Sequence, residues 1–257
     1  MKSAQIITND IFAQVLGLTD QHIHYFETPT NTKTLGIHRL MLTDFQALVT
    51  SAAKADIEIK IASGFRSFER QLVIWNNKFT GKTAIKNSGG EQVNITELNE
   101  DEIVAAIMLY SALPGVSRHH WGCDIDIYAA NLLAGKPLQL EPWEYESSGP
   151  MAKLSTWLDH NAATFGFYFP YDCYRGGIAA EPWHLSYVPL AKQYQAAFSL
   201  ENLQQCLFNS DLSGKSTILE NLPNLVKRFS NNINVCELSL HNRSIQINTD
   251  TTGETRG

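Results

Sequence analysis

The sequence predicts an α+β fold, with a mainly antiparallel central sheet flanked by helices. Three observations predict it. Two segments, Ile57 to Ile61 and Cys123 to Tyr128, alternate strictly between two residue classes, as strands with one buried face do. Several longer stretches carry apolar residues at helical spacing. The two kinds of segment follow one another without regular β-α-β alternation, which disfavours a parallel, doubly wound sheet.

Taken in order, the chain is poorly periodic to about Leu35. A first helix is expected from about Asp44 to Ala55, where Thr43 and Gln46 have capping-box spacing and Leu42, Phe45, Leu48, Val49 and Ala52 form a stripe. The strand at 57–61 runs out at Ser63-Gly64, and a second helix spans Ser67 to Phe79. Gly81 to Asn94 is polar, contains Gly89-Gly90 and reads as an exposed loop. Asn99 and Glu102 cap a third helix that continues to about Leu113, where Pro114-Gly115 stops it. After the strand at 123–128, a loop through Pro137, Pro142 and Gly149 leads to a helix from Met151 to Thr164, with Gly166 as its C-cap. Phe167 to Phe169 and Trp183 to Val188 are short strands. Beyond Pro189 the chain is helical to about Phe229, and Cys236–Leu240 with Ser244–Ile247 makes a small hairpin around His241-Asn242-Arg243.

The balance of 20 basic against 26 acidic residues, a net charge of −6, argues against a nucleic-acid partner, which calls for a basic stripe. No run of eighteen apolar residues is present, so no membrane span is expected. The first twenty residues hold one lysine, Asp10 and no small-residue cleavage site, and so predict a cytoplasmic protein, with the periplasm or cell envelope as the alternative. Cys123, Cys173, Cys206 and Cys236 form no C-x-x-C pair, which excludes a cysteine zinc knuckle. They read as reduced thiols, or as two bridges if the protein is exported.

Two segments concentrate metal-ligating residue types: Ser117-Arg-His119-His120-Trp-Gly122-Cys-Asp124-Ile-Asp126 and Glu181-Pro-Trp183-His184. A bend at Gly122 can fold the strand back beside His119. Asp124 and Asp126 share one strand face while Ile125 and Ile127 enter the core. His119, Asp126 and His184 are then three ligands with a position left open, as catalytic zinc requires. Glu181, placed just ahead of its strand by Pro182, is left for acid–base work on a metal-bound water attacking a peptide carbonyl. Arg66, in Ser63-Gly64-Phe65-Arg66-Ser67, sits between a strand and a helix, where a guanidinium can hold a carboxylate in two-pronged fashion. Gln71 faces the same cleft in this reading. Segments 79–100 and 130–150 shape the cleft. His22 and His24 share a strand face but have no third ligand nearby. His120 either hydrogen-bonds behind a ligand or faces solvent, and one of Trp121 and Trp183 forms a cleft wall.

These motifs, S-x-H-x-x-G-x-x-x-D, E-x-W-H and the SGFRS segment, occur in an order that resembles the zinc D-Ala-D-Ala carboxypeptidases and dipeptidases, whose fold is related to lysostaphin-type endopeptidases and the hedgehog domain. The resemblance spans roughly residues 35 to 190. It implies a zinc site in a cleft on the sheet, with one zinc held by His119, Asp126 and His184. It implies Glu181 as catalytic base, Arg66 as transition-state or carboxylate contact, and Ser117 as substrate contact, with Arg66, Ser117 and Gln71 lining the substrate path. The substrate it implies is a peptidoglycan-derived peptide ending in D-alanine. A D-Ala-D-Ala dipeptide, an L,D bond or an L-Ala-D-Glu bond is the alternative target, and a non-catalytic zinc-binding module is the alternative class. The family has a small residue where this chain has Asp124, which is left as a partner behind a ligand, a contact for a substrate ammonium, or an alternative ligand. On this basis residues 1–195 form the catalytic domain, 196–240 a helical appendage packed on it, and 241–257 a polar, partly disordered tail.

Overall fold

The computed structural model describes residues 11–26 and 35–235. The expected hairpin of Cys236–Leu240 with Ser244–Ile247 and the tail at 241–257 lie outside the described residues. Four strands form the central sheet: β3 (Ile59–Ser63), β6 (Asp124–Ala129), β8 (His184–Tyr187) and β7 (Phe167–Tyr168), in that spatial order and antiparallel throughout. Two small antiparallel pairs accompany it, β1 (Ile23–Phe26) with β2 (Leu35–His38), and β4 (Ile85–Lys86) with β5 (Gln92–Val93). Among the described residues, the helices around the sheets include α1 (Leu42–Ala53), α2 (Phe68–Phe79), α3 (Glu100–Met108), α4 (Pro142–Tyr145), α5 (Ala152–Asn161), α6 (Val188–Ala197), α7 (Leu200–Phe208) and α8 (Lys215–Phe229).

The sheet's two faces differ in chemistry, and this places the site. Ile59, Ile125, Ile127, Leu185 and Tyr187 are buried in one apolar cluster with residues of α1, α5 and α6. The period-two alternation of β6 and β8 sends Asp124, Asp126, His184 and Ser186 to the opposite face. On that side stands a second apolar cluster, built by Phe68 and Trp75 of α2, Ile103 and Ile107 of α3, Leu203 and Leu207 of α7, and Leu222 and Val226 of α8. The helices after Ser199 are therefore bound into the core that holds α2. Trp75 Nε1 also donates to the Ser213 carbonyl at 3.1 Å, and Asn76 exchanges hydrogen bonds with Asp211 and Ser213.

Several boundaries differ from the sequence expectation for local reasons. Helix α1 starts at Leu42 without a Thr43 cap, because a 3-10 turn at Arg39–Met41 runs straight into it and His38 caps that turn through the Leu40 amide. The segment expected to be an exposed loop contains the β4–β5 pair, its turn closed by the Asn87 side chain accepting from the Gly89 and Glu91 amides. The Asn99–Glu102 capping box forms, but α3 ends at Met108, short of Pro114. Gly166 does end the α5 region, in the left-handed conformation at φ 83°.

Candidate active site

The register of the central sheet brings the donors together. Asp126 lies directly opposite His184 on β8 and opposite Ser63 on β3, where a bulge follows Ile61. His119 comes from the 3-10 turn Arg118–Trp121, which Gly122 closes at φ 68°. That left-handed conformation favours glycine, and a side chain at Gly122 would also have to displace the end of Ile23. The result is a cluster in which one ligand atom each from His119, Asp126 and His184 lies within 4.8 Å of the others.

The atoms that face inward are specified by what stands behind them. His119 Nδ1 lies 3.0 Å from the Gly64 carbonyl, which can only accept, so Nδ1 carries the proton and Nε2, 3.4 Å from Asp126 Oδ2, keeps its lone pair for a metal. His184 Nε2 lies 3.0 Å from Asp124 Oδ1, which leaves Nδ1 turned toward Asp126 Oδ1 at 3.1 Å. His184 Nδ1 and Asp126 Oδ1 are buried with no hydrogen-bond partner among the described residues. Burial would lower the His184 pKa, but Asp124 and Asp126 pull it up to about 10, so the pocket favours positive charge at this point. Two imidazole nitrogens, each with an acceptor on the other ring nitrogen, and a carboxylate are a donor set that suits zinc.

Asp124 is now defined by its contacts. It is completely buried, ion-paired to Arg118 Nε at 2.6 Å, and accepts from Ser186 Oγ at 3.0 Å. Burial opposes its ionisation, yet Arg118 and His184 hold its pKa below the ordinary aspartate value. It supports His184 from behind and has no access to a substrate. Arg118, which the sequence reading did not single out, also reaches Ser186 and Tyr168 and lies over the Trp121 ring at 4.4 Å. The available signal was Asp124 itself, because a buried carboxylate calls for a cation.

A cavity of about 300 Å³ opens onto this cluster and is lined by Arg66, Ser117, His119, Asp126, Glu181 and His184, among others. Glu181 Oε2 is 3.4 Å from His184 Nδ1, and burial raises its pKa to about 7, with Asp126 adding to the rise and His184 opposing it. Arg66 is clamped by Gln71 Oε1 at 2.8 Å and Ser63 Oγ at 3.0 Å. Gln71, expected to contact substrate, is instead fully buried. Its amide nitrogen is committed to the Ala112 carbonyl at 2.6 Å, so its contribution to the cleft is to hold Arg66. His120 is buried rather than solvent-facing: Nε2 accepts from the Gly115 amide, and Nδ1 donates to the Arg66 carbonyl. Trp183 is the tryptophan that lines the cavity, while Trp121 stacks on Tyr194. Segments 84–86 and 140–142 contribute to the walls, as expected of the two loops. His22 packs against His38, Phe65 and Tyr194. Among the described residues the His119–Asp126–His184 group is the one cluster suited to a metal.

Comparison with known proteins matches residues 35–190 to the family model described as VanY: D-alanyl-D-alanine carboxypeptidase. An uncharacterized protein of Haemophilus influenzae is 37% identical over 120 residues, covering 46% of this chain and 92% of its own length. A D-alanyl-D-alanine carboxypeptidase of Enterococcus faecalis is 30% identical over 157 residues, covering 58% of this chain, and the match spans only about half of that relative (49%). Among solved structures, the vancomycin resistance D,D-pentapeptidase VanY in complex with Zn(II) is 23% identical, with a TM-score of 0.46 and coverage of 72% of this chain and 92% of that one.

Proposed function

The chain belongs to the VanY family of D-alanyl-D-alanine carboxypeptidases, and on that premise we propose that it is a zinc-dependent peptidase removing C-terminal D-alanine from peptidoglycan-type peptides. The observation that carries the proposal is the convergence of three metal donors, a carboxyl with a pKa raised to about 7, and a clamped guanidinium on one cavity. His119 Nε2, His184 Nδ1 and an Asp126 oxygen would hold the metal. Zinc bound there supplies polarisation of the scissile carbonyl and acidification of a water. Glu181 takes the proton of the attacking water and returns it to the leaving amine, a role that suits a carboxyl titrating near neutrality. Arg66, fixed by Ser63 and Gln71, offers its remaining donors to the oxygen on which charge develops. Ser117, buried at the cavity wall, contacts the peptide.

The test is direct. Purified protein is expected to contain about one zinc per chain and to release D-alanine from muropeptides ending in D-Ala-D-Ala, read by mass spectrometry. Glu181→Gln keeps the metal and loses turnover by roughly 10²-fold or more, while His119→Ala loses the metal itself. Full activity in Glu181→Gln would sink the assignment.

A further inference from the structure

A second cation shares the cavity wall with Arg66. Lys78, in the last turn of α2, lines the same cavity as Glu181 and the metal cluster. Its ammonium donates to Ser111 Oγ at 2.6 Å, in the segment that follows α3. Of the other cations of the wall, Lys86 is paired with Glu141 and Arg118 with Asp124, while Arg66 is fixed by the neutral groups of Gln71 and Ser63. Among the described residues, no carboxylate lies within ion-pair distance of Lys78. Burial and the neighbouring Arg66 both lower its pKa, against a weaker pull from Glu181. A partly desolvated ammonium that the protein leaves without a counter-ion is a seat for an anion.

We propose that Lys78, with Ser111, receives the free terminal carboxylate of the peptide, leaving Arg66 to the scissile carbonyl. The proposal rests on the peptidase reading above and adds a specificity residue to it. Lysine suits this role as a point charge on a flexible stem, which needs no planar two-pronged geometry. A peptide continuing past the cut, or ending in a carboxamide, would bring a neutral group to the ammonium and leave its charge uncompensated. Lys78 therefore makes the cleft an exopeptidase site.

The test uses the zinc-loaded full chain and three peptides: one ending in D-Ala-D-Ala as the free acid, its C-terminal carboxamide, and a third with an internal side-chain carboxylate converted to the amide. Wild-type protein is expected to favour the free acid over the carboxamide by roughly 10- to 100-fold in kcat/KM, as expected for a partly buried charge pair. Lys78→Met brings that ratio to within about threefold, chiefly through KM, while Lys78→Arg restores part of the preference. Zinc content and melting temperature report folding, and Lys78→Gln replaces the methionine variant if that one melts early. A wild-type ratio retained in Lys78→Met and Lys78→Gln, or a preference that follows the internal carboxylate, overturns the proposal.

Calorimetric binding to the Glu181→Gln protein separates this idea from the peptidase reading. If wild type cleaves none of the peptides, yet the free acid binds more tightly than the carboxamide and Lys78→Met removes the difference, the seat stands and the peptidase reading falls. Equal binding of acid and carboxamide overturns the seat.

Discussion

At the scale of single residues, the site divides into groups that act by identity and groups that act by support. The proposed ligands His119, Asp126 and His184 and the proposed base Glu181 stood out by residue type and spacing, and the structure brings them to one cavity. The partners behind them were not. Asp124 could be read in three ways until the 3-10 turn placed Arg118 against it. Gln71 looked like a cleft residue because helical spacing tells which side of α2 it occupies but not how deeply it is buried. The support is expected to be measurable. Asp124→Asn removes the charge that orients His184 and leaves the Arg118 guanidinium without its carboxylate, so zinc affinity should fall roughly 10- to 100-fold. Titration against a competing chelator reads this, and an unchanged affinity would show that His184 needs no such backing.

At the scale of elements, the decisive fact is register. Alternation along β6 was visible in the sequence and β8 was expected as a short strand, but the pairing of Asp126 with His184 was not visible, because a slip by one residue satisfies the same alternation while turning every side chain to the other face. The β4–β5 pair was missed for a related reason: two-residue strands carry no periodicity, and their turn is closed by the backbone and side chain of Asn87. The C-terminal helices were legible as amphipathic, though not as part of the core beneath α2. Leu222, almost completely buried between α8 and its neighbours, tests that role. Leu222→Ala should cost about 2–5 kcal/mol in denaturant unfolding. A loss well under 1 kcal/mol would mean that α8 merely rests on the surface.

At the scale of the whole molecule, stability should depend on pH through buried histidines outside the proposed metal-ligand set. Burial lowers the pKa of His22 to about 4 and that of His38 to about 3, with Arg39 close to both and Asp20 weakly opposing at His22. Both folded values lie below the unfolded value, so the unfolded chain binds more protons below about pH 6.5. Their contribution is complete above that pH and is lost as pH falls toward 4 and then 3, at up to about 1.4 kcal/mol per unit for each histidine. The melting temperature should therefore drop between pH 7 and 5, and His22→Phe, in a pocket ringed by His38, Phe65 and Tyr194, should flatten the drop. An identical slope in the variant would remove His22 from the account.

The two-faced sheet has one more consequence. Every proposed metal donor, and the proposed base, belongs to the sheet or to the chain leading directly into it, whereas Lys78 and Ser111 stand on the opposite, helix-built wall. In this proposal the metal donors and the base stand on one wall and the carboxylate seat on another, with Arg66 held between them by Ser63 of β3 and Gln71 of α2. Such a division permits inheritance by halves: a descendant could be redirected to another peptide by exchanging one wall, while the reaction passes on intact.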